Sequence, residues 1–237
     1  MKKKLIIGYD GSRHGSSSQL ASTNKIKGHK KEVIYAKMVH GQVLKGSAKT
    51  DVLEPNGHRT SIKSAEKHIQ FLLQSRIKSI EHFGDSHSIS EFIKSGYKVK
   101  KSKFENNNKF DPKDKLVWKK KAENLSRWIK DRNNFLELLK YIITKNDEIT
   151  HIVDFYSNDD IALKYDAQEV ITFLSKLDIE SYVTDGCKVV VKSKIPKLSE
   201  NKSLVILNIE LRGSVGKIGS VNYWTDAQRF YGIHIML

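Results

Sequence analysis

Lys4-Leu5-Ile6-Ile7-Gly8-Tyr9-Asp10-Gly11-Ser12 is the stretch on which the fold turns: an apolar run that stops at Asp10 and bends at Gly11. Leu5, Ile6 and Ile7 predict a strand buried on both faces, closed by the turn chemistry of Gly11-Ser12. A carboxylate at the exit of a buried strand is costly unless a cation meets it, either a side chain or a metal ion. Asp10 can equally open the turn through its own side chain, which requires no partner.

Three further acids stand in comparable settings. Glu66 lies at the edge of the apolar stripe of a helix predicted over 61–76, made by Ile62, Ala65, Ile69, Leu72, Leu73 and Arg76. Asp85 follows a short strand predicted over Ser79–Phe83 and opens a helix whose packed face is Ile89, Phe92 and Ile93. Asp166 opens a helix striped with Ala167, Val170, Ile171, Leu174 and Leu177. Each has an ordinary role as well, Glu66 as a solvated surface acid and Asp85 as a helix N-cap.

Taken together, Tyr9-Asp10-Gly11-Ser12, Ser64-Ala65-Glu66, Gly84-Asp85-Ser86 and Tyr165-Asp166-Ala167 resemble the four acidic signatures of the ribonuclease H type 1 family. The first and third carry most of the resemblance, since Asp85-Ser86 with the segment to Ile93 is similar to the family's strand end and following helix. The likeness covers roughly residues 1–178. It implies an α/β domain with a mixed five-stranded sheet flanked by helices, followed by a small β-rich extension over 179–237. It also implies two Mg2+ ions, with Mn2+ able to substitute: Asp10 bridging both, Glu66 and Asp85 completing one site and Asp166 the other. Such a pair activates a water and stabilises the leaving oxygen, hydrolysing the RNA strand of an RNA/DNA hybrid.

The chain departs from the family in two places. The second strand of the expected meander, Gln19 to Asn24, is serine-rich where the family is glycine-rich, with Glu32 to Val39 as the third strand. Tyr156 and Asn158-Asp159-Asp160 stand where many members carry a histidine-bearing loop. Two rival readings follow. One is a non-catalytic nucleic-acid-binding module of the same fold, and the other is a different nuclease on it, such as a junction resolvase or a transposase-like enzyme.

Composition agrees with a polyanionic partner. The 237 residues carry a formal charge of +15 and a pI near 9.6, which by itself does not separate DNA, RNA and an anionic membrane surface. Met1-Lys2-Lys3-Lys4 precedes only three apolar residues before Gly8, and no apolar run reaches membrane length. The expectation is an intracellular protein without a signal peptide or membrane partner. Cys187, the single cysteine, rules out an internal disulfide and a cysteine metal cluster.

The basic residues concentrate between Lys94 and Arg132, and Tyr97 to about 130 reads as a basic insertion in the first domain. Lys100, Lys101, Lys119, Lys120, Lys121 and Arg127 are candidates for phosphate contacts through counterion release, and Trp118 for stacking on a base. A solvated lysine face and a core tryptophan are the plain alternatives. Residues 41 to 60 read as an extended loop with a strong turn at Pro55-Asn56-Gly57. In the last quarter, apolar runs at Val189–Val191, Ser203–Ile209 and Tyr231–Met236 predict strands. Glu210-Leu211-Arg212 resembles the acidic core of some restriction endonucleases, with Arg in place of the usual Lys and no Asp partner before it.

Overall fold

The structure is a computed structural model that describes residues 18–44, 50–63, 68–107, 109–145, 147–155, 162–194, 203–212 and 220–226. Helix α1 (Ser18–Met38) leads into three short strands, β1 (Gln42–Val43), β2 (Val52–Leu53) and β3 (Arg59–Lys63). Then come β4 (His68–Ser75), α2 (Arg76–Phe83), α3 (Ser88–Glu105), α4 (Pro112–Ile129) and α5 (Arg132–Thr144). The chain continues through β5 (His151–Phe155), β6 (Ala162–Asp166), α6 (Ala167–Ser175), β7 (Ile179–Val183), β8 (Val189–Lys194), β9 (Ser203–Leu211) and β10 (Ser220–Asp226).

These strands form the expected architecture: a mixed five-stranded sheet flanked by helices, and a second, antiparallel sheet. The first sheet has the order β1-β2-β3-β5-β6, with β3 and β5 parallel and every other neighbour antiparallel. One parallel pair inside a meander requires a long crossover, and α2 to α5 lie within it. The second sheet has the order β4-β10-β9-β8-β7 and is antiparallel throughout. In outline the first sheet is consistent with ribonuclease H-like folds in general. The expected boundary at 178/179 falls between α6 and β7, while β4, from the first part of the chain, pairs with β10.

Period-two alternation on β5 explains how both faces of the first sheet are covered. Val153 and Phe155, both fully buried, meet Tyr35 and Ala36 of α1 together with Val52. Ile152 points the other way, into the main core, where Tyr165, Val170 and Ile171 join Phe135, Leu138 and Ile142 of α5 and the inner faces of β8 to β10. The helix ends follow local chemistry. Asp131 accepts from the N–H groups of Asn133 and Asn134, Asp166 from those of Gln168 and Glu169, and Asp111 from that of Lys113 with Pro112 in the first turn.

Several elements are built from other residues than the sequence predicts. Gln19 to Asn24 and Glu32 to Met38 are helical, not strands, and Val39 lies in the turn that follows. The β-branched cluster Val33-Ile34 suggests a strand, but packing of Tyr35 and Ala36 on the sheet overrides that propensity. The helix expected over 61–76 is replaced by β3 and β4, whose apolar residues fit a helical period by coincidence while each strand buries its own set. Ser79 to Phe83 belongs to α2, capped by Ser75 and stopped at Gly84, so Asp85 follows a helix and not a strand end. Within 41–60, β1 and β2 add to the sheet, and the predicted Pro55-Asn56-Gly57 turn joins β2 to β3 with Gly57 at φ 84°. The runs 5–7 and 231–236, the 156–161 loop and the glycine-rich 213–219 segment lie outside the described residues.

Candidate functional site

Two polar clusters flank β2, one beside Asp51 and one beside Glu54. Asp51 continues the ladder at the start of the strand, its N–H donating to the Thr60 carbonyl at 2.9 Å. Its Oδ2 accepts from the Ile62 N–H at 2.6 Å and from Ser61 Oγ at 3.2 Å, which fixes the carboxylate against β3. Alternation puts Ser61 and Lys63 on the same face of β3, and the parallel register sets Lys63 opposite Asp154 of β5. Asp154 is 3% exposed, and its Oδ1 has no hydrogen-bond partner among the described residues.

Charge is held here against the cost of burial. Burial pushes the Asp154 carboxyl up to about 7 despite the attraction of Lys63. It also raises Asp51, where Lys63, the Ile62 N–H and Ser61 oppose the rise and Glu32 of α1 adds to it. For Lys63 burial lowers the ammonium's pKa, with Asp51, Asp154 and Glu32 resisting. One cation therefore serves two acids on the sheet and a third on the helix.

The second cluster is satisfied. Glu54, 5% exposed, accepts from Tyr35 Oη at 2.9 Å, Thr60 Oγ1 at 2.6 Å and Lys164 Nζ at 2.7 Å. Burial works to raise its carboxyl, but the bonds from Lys164, Thr60 and Tyr35 outweigh it and hold Glu54 below its ordinary value. His58 lies 3.2 Å from Lys164 Nζ and stacks on His151, with ring centroids 3.9 Å apart.

Of the four acids expected to converge, Asp10 and Glu66 lie outside the described residues. Asp85 is exposed in the turn before α3 and receives Lys94 Nζ at 2.6 Å. Asp166 caps α6 through Oδ1, while its Oδ2 sits 3.9 Å from His151 Nε2. Among the described residues no three His, Cys, Asp or Glu side chains are grouped to hold a metal ion. Asp51 and Asp154 are each drawn toward Lys63, and their carboxylates are hard oxygen donors of the kind Mg2+ takes.

The basic segment forms two packed helices, the second half of α3 and all of α4, laid over β7, β8 and β9. Trp118 is 5% exposed and turns inward against Phe92, so it presents no face for a base to stack on. A Cβ on Gly96 would come within 2.5 Å of its indole nitrogen, which is why the helices can approach so closely there. Lys101 pairs with Glu105, Lys121 with Glu91 and Lys119, at 4.0 Å, with Asp185. Lys100 lies over the Trp118 ring, Lys120 is exposed, and Arg127 donates to Asn124.

Sequence reasoning missed Asp51, Lys63 and Asp154 because a turn-rich loop hides β2. The usable signal was an acid, a short apolar pair, a Pro-Asn-Gly turn and then the alternating Thr60-Ser61-Ile62-Lys63. That is the acid-and-lysine pattern sought around Glu210, which instead pairs with Lys188 at 3.0 Å. No family model matches the chain, and no curated protein matches it.

Proposed function

We propose that the protein is a nuclease whose centre is Asp51, Lys63 and Asp154, with Ser61 and Glu32 in support. The observation that carries this reading is the buried Asp154, whose Oδ1 has no hydrogen-bond partner among the described residues, set in register with Lys63 of the strand onto which the Asp51 carboxylate is locked. Buried acids left short of donors are expensive unless they are kept for chemistry. A divalent ion held by Asp51 and Asp154 would supply positive charge at the phosphate and an activated water. Ser61 and the Ile62 N–H orient Asp51, and Lys63 places an ammonium where negative charge develops on a phosphodiester. The chain's net charge of +15 favours a nucleic-acid substrate.

A second reading, a nucleic-acid-binding module without catalysis, is favoured by the side chain beside Asp51 on β3 being a hydroxyl, Ser61, which donates to Oδ2 at 3.2 Å, and not a further carboxylate. One experiment separates the readings: incubation of RNA/DNA hybrid, duplex DNA, duplex RNA and branched DNA with the protein in Mg2+ or Mn2+. The proposal predicts cleavage of at least one substrate, abolished by Asp51→Asn and Lys63→Ala. Binding without cleavage under every condition supports the second reading. Cleavage confined to the RNA of the hybrid, lost in Asp10→Asn and Asp85→Asn but kept in Asp51→Asn, would replace both with the two-ion ribonuclease H reading.

A further inference from the structure

The cations of α3 and α4 divide into two sets. Lys98, Lys101 and Lys121 are engaged with Asp114, Glu105 and Glu91 at 2.8, 3.7 and 2.9 Å. Lys113, Lys115, Lys120 and Arg127 make no ion pair among the described residues, and all four are exposed; Lys113, Lys120 and Arg127 are the three that share a face. They recur at intervals of seven along α4, two helical turns each, which places them in one row. Their spacing is about 10 Å, and the row runs about 21 Å.

Between them lie Val117 and Asn124, which with Lys120, Lys121, Glu123 and Arg127 line a shallow open depression along the helix; Lys113 stands beyond its end. The opposite face of α4, with Trp118, Ala122, Leu125 and Ile129, is committed to the core. The helix therefore cannot turn a broad apolar side to a lipid surface; Leu116 and Val117 are its exposed large apolar residues.

We infer that this outer face of α4 is where the phosphate backbone of a nucleic acid docks, with Lys113, Lys120 and Arg127 as the neutralising row. The inference rests on the nucleic-acid reading above and adds which cations do the gripping. A lysine already paired to a carboxylate releases fewer counterions on binding than one facing water, so the two sets contribute unequally although their formal charge is the same.

The test compares two triple variants of the full chain, Lys113→Gln/Lys120→Gln/Arg127→Gln and Lys98→Gln/Lys101→Gln/Lys121→Gln, each lowering the formal charge by three. Affinity for a short labelled DNA duplex and a short RNA/DNA hybrid is measured across a salt series, with anionic and neutral vesicles as parallel probes. The first variant is expected to flatten the salt slope by roughly 2 to 3 in log–log terms, and the second by clearly less. Equal slopes in the two variants, or a first variant that binds like the parent, overturn the assignment to α4 while leaving the cleavage result intact. A first variant that loses vesicle binding alone overturns it in favour of a membrane surface. A parent that binds neither nucleic acid overturns this inference and the proposed function together.

Discussion

Asp51 and Glu54 bracket the same two-residue strand, yet they are held in opposite ways. Glu54 gathers three donors, and burial is overcome. Asp51 has two donors, the Ile62 N–H and Ser61, and shares Lys63 with Asp154, yet burial prevails at both acids. Residues of one chemical kind, on one sheet, thus divide into a satisfied cluster that ties α1, β2, β3 and β6 together and one in which burial outweighs the partners. The comparison teaches that burial alone does not mark a site; the balance of donors against charges does.

The largest expected effect breaks the satisfied side. Glu54→Gln keeps an Oε1 acceptor for Tyr35 and Thr60 but puts an amide NH2 where Oε2 meets Lys164, leaving that ammonium without its charge partner. Stability measured by urea unfolding near neutral pH should fall by roughly 3 kcal/mol. Because the folded carboxyl is held below its ordinary value, its stabilisation exists above that value and disappears as pH drops through the folded one. The variant's deficit should therefore shrink in acid, and a deficit that persists unchanged at low pH would remove the ion-pair explanation.

On the other side the sign reverses. The Asp154 carboxyl rises from 3.8 to about 7 on folding, so stability is fully present below 3.8 and is lost as pH climbs toward 7. Asp154→Asn should stabilise the protein above pH 7 by on the order of 1 to 2 kcal/mol, partly offset by Lys63 losing a counter-charge. It should change nothing in acid. Chemical unfolding across this range reads it directly, and a loss of stability at pH 8 would show Asp154 to be a structural partner of Lys63. Greater stability together with lost cleavage is the pattern of a residue kept for function at some cost to the fold.

A smaller effect lies away from both clusters. His87 caps α3 by accepting from the Ile89 N–H through Nδ1, and it packs between Phe83 and Trp128. Burial lowers its pKa from the ordinary 6.5, helped by His82 and opposed by Glu137. Stability should hold above 6.5 and decline as pH falls, because the unfolded chain takes up the proton first. His87→Asn keeps a capping acceptor and removes the titration, so its melting temperature should be flatter with pH below neutrality than the parent's. An unchanged pH profile would assign the acid sensitivity to other groups.

Much of the second half of the chain is legible in the sequence because local chemistry and packing agree there. Asp131 and Asp166 cap α5 and α6, and the apolar stripes of both helices become the core. The first half misleads where tertiary contacts decide. α1 has no coherent apolar stripe, and it is Ile34, Tyr35 and Ala36, near its end, that reach the buried cluster on the sheet. His68–Ser75 is a short apolar run that suits a strand or a helix turn equally until β10 pairs with it. The candidate site was hidden for a related reason. Asp154 comes within reach of Lys63 only when β5 lies parallel to β3, a pairing across 91 residues that no local pattern announces.

The most direct measurement is the melting temperature of the parent, Asp51→Asn, Asp154→Asn and Glu54→Gln with rising Mn2+ or Mg2+. An ion bound by the folded chain at Asp51 and Asp154 must stabilise it by mass action. The parent and Glu54→Gln, whatever their starting values, should therefore melt at progressively higher temperature as the ion is added, while Asp51→Asn and Asp154→Asn should not respond. A parent indifferent to both ions, or an equal rise in all four proteins, would contradict a metal-dependent centre at Asp51, Lys63 and Asp154.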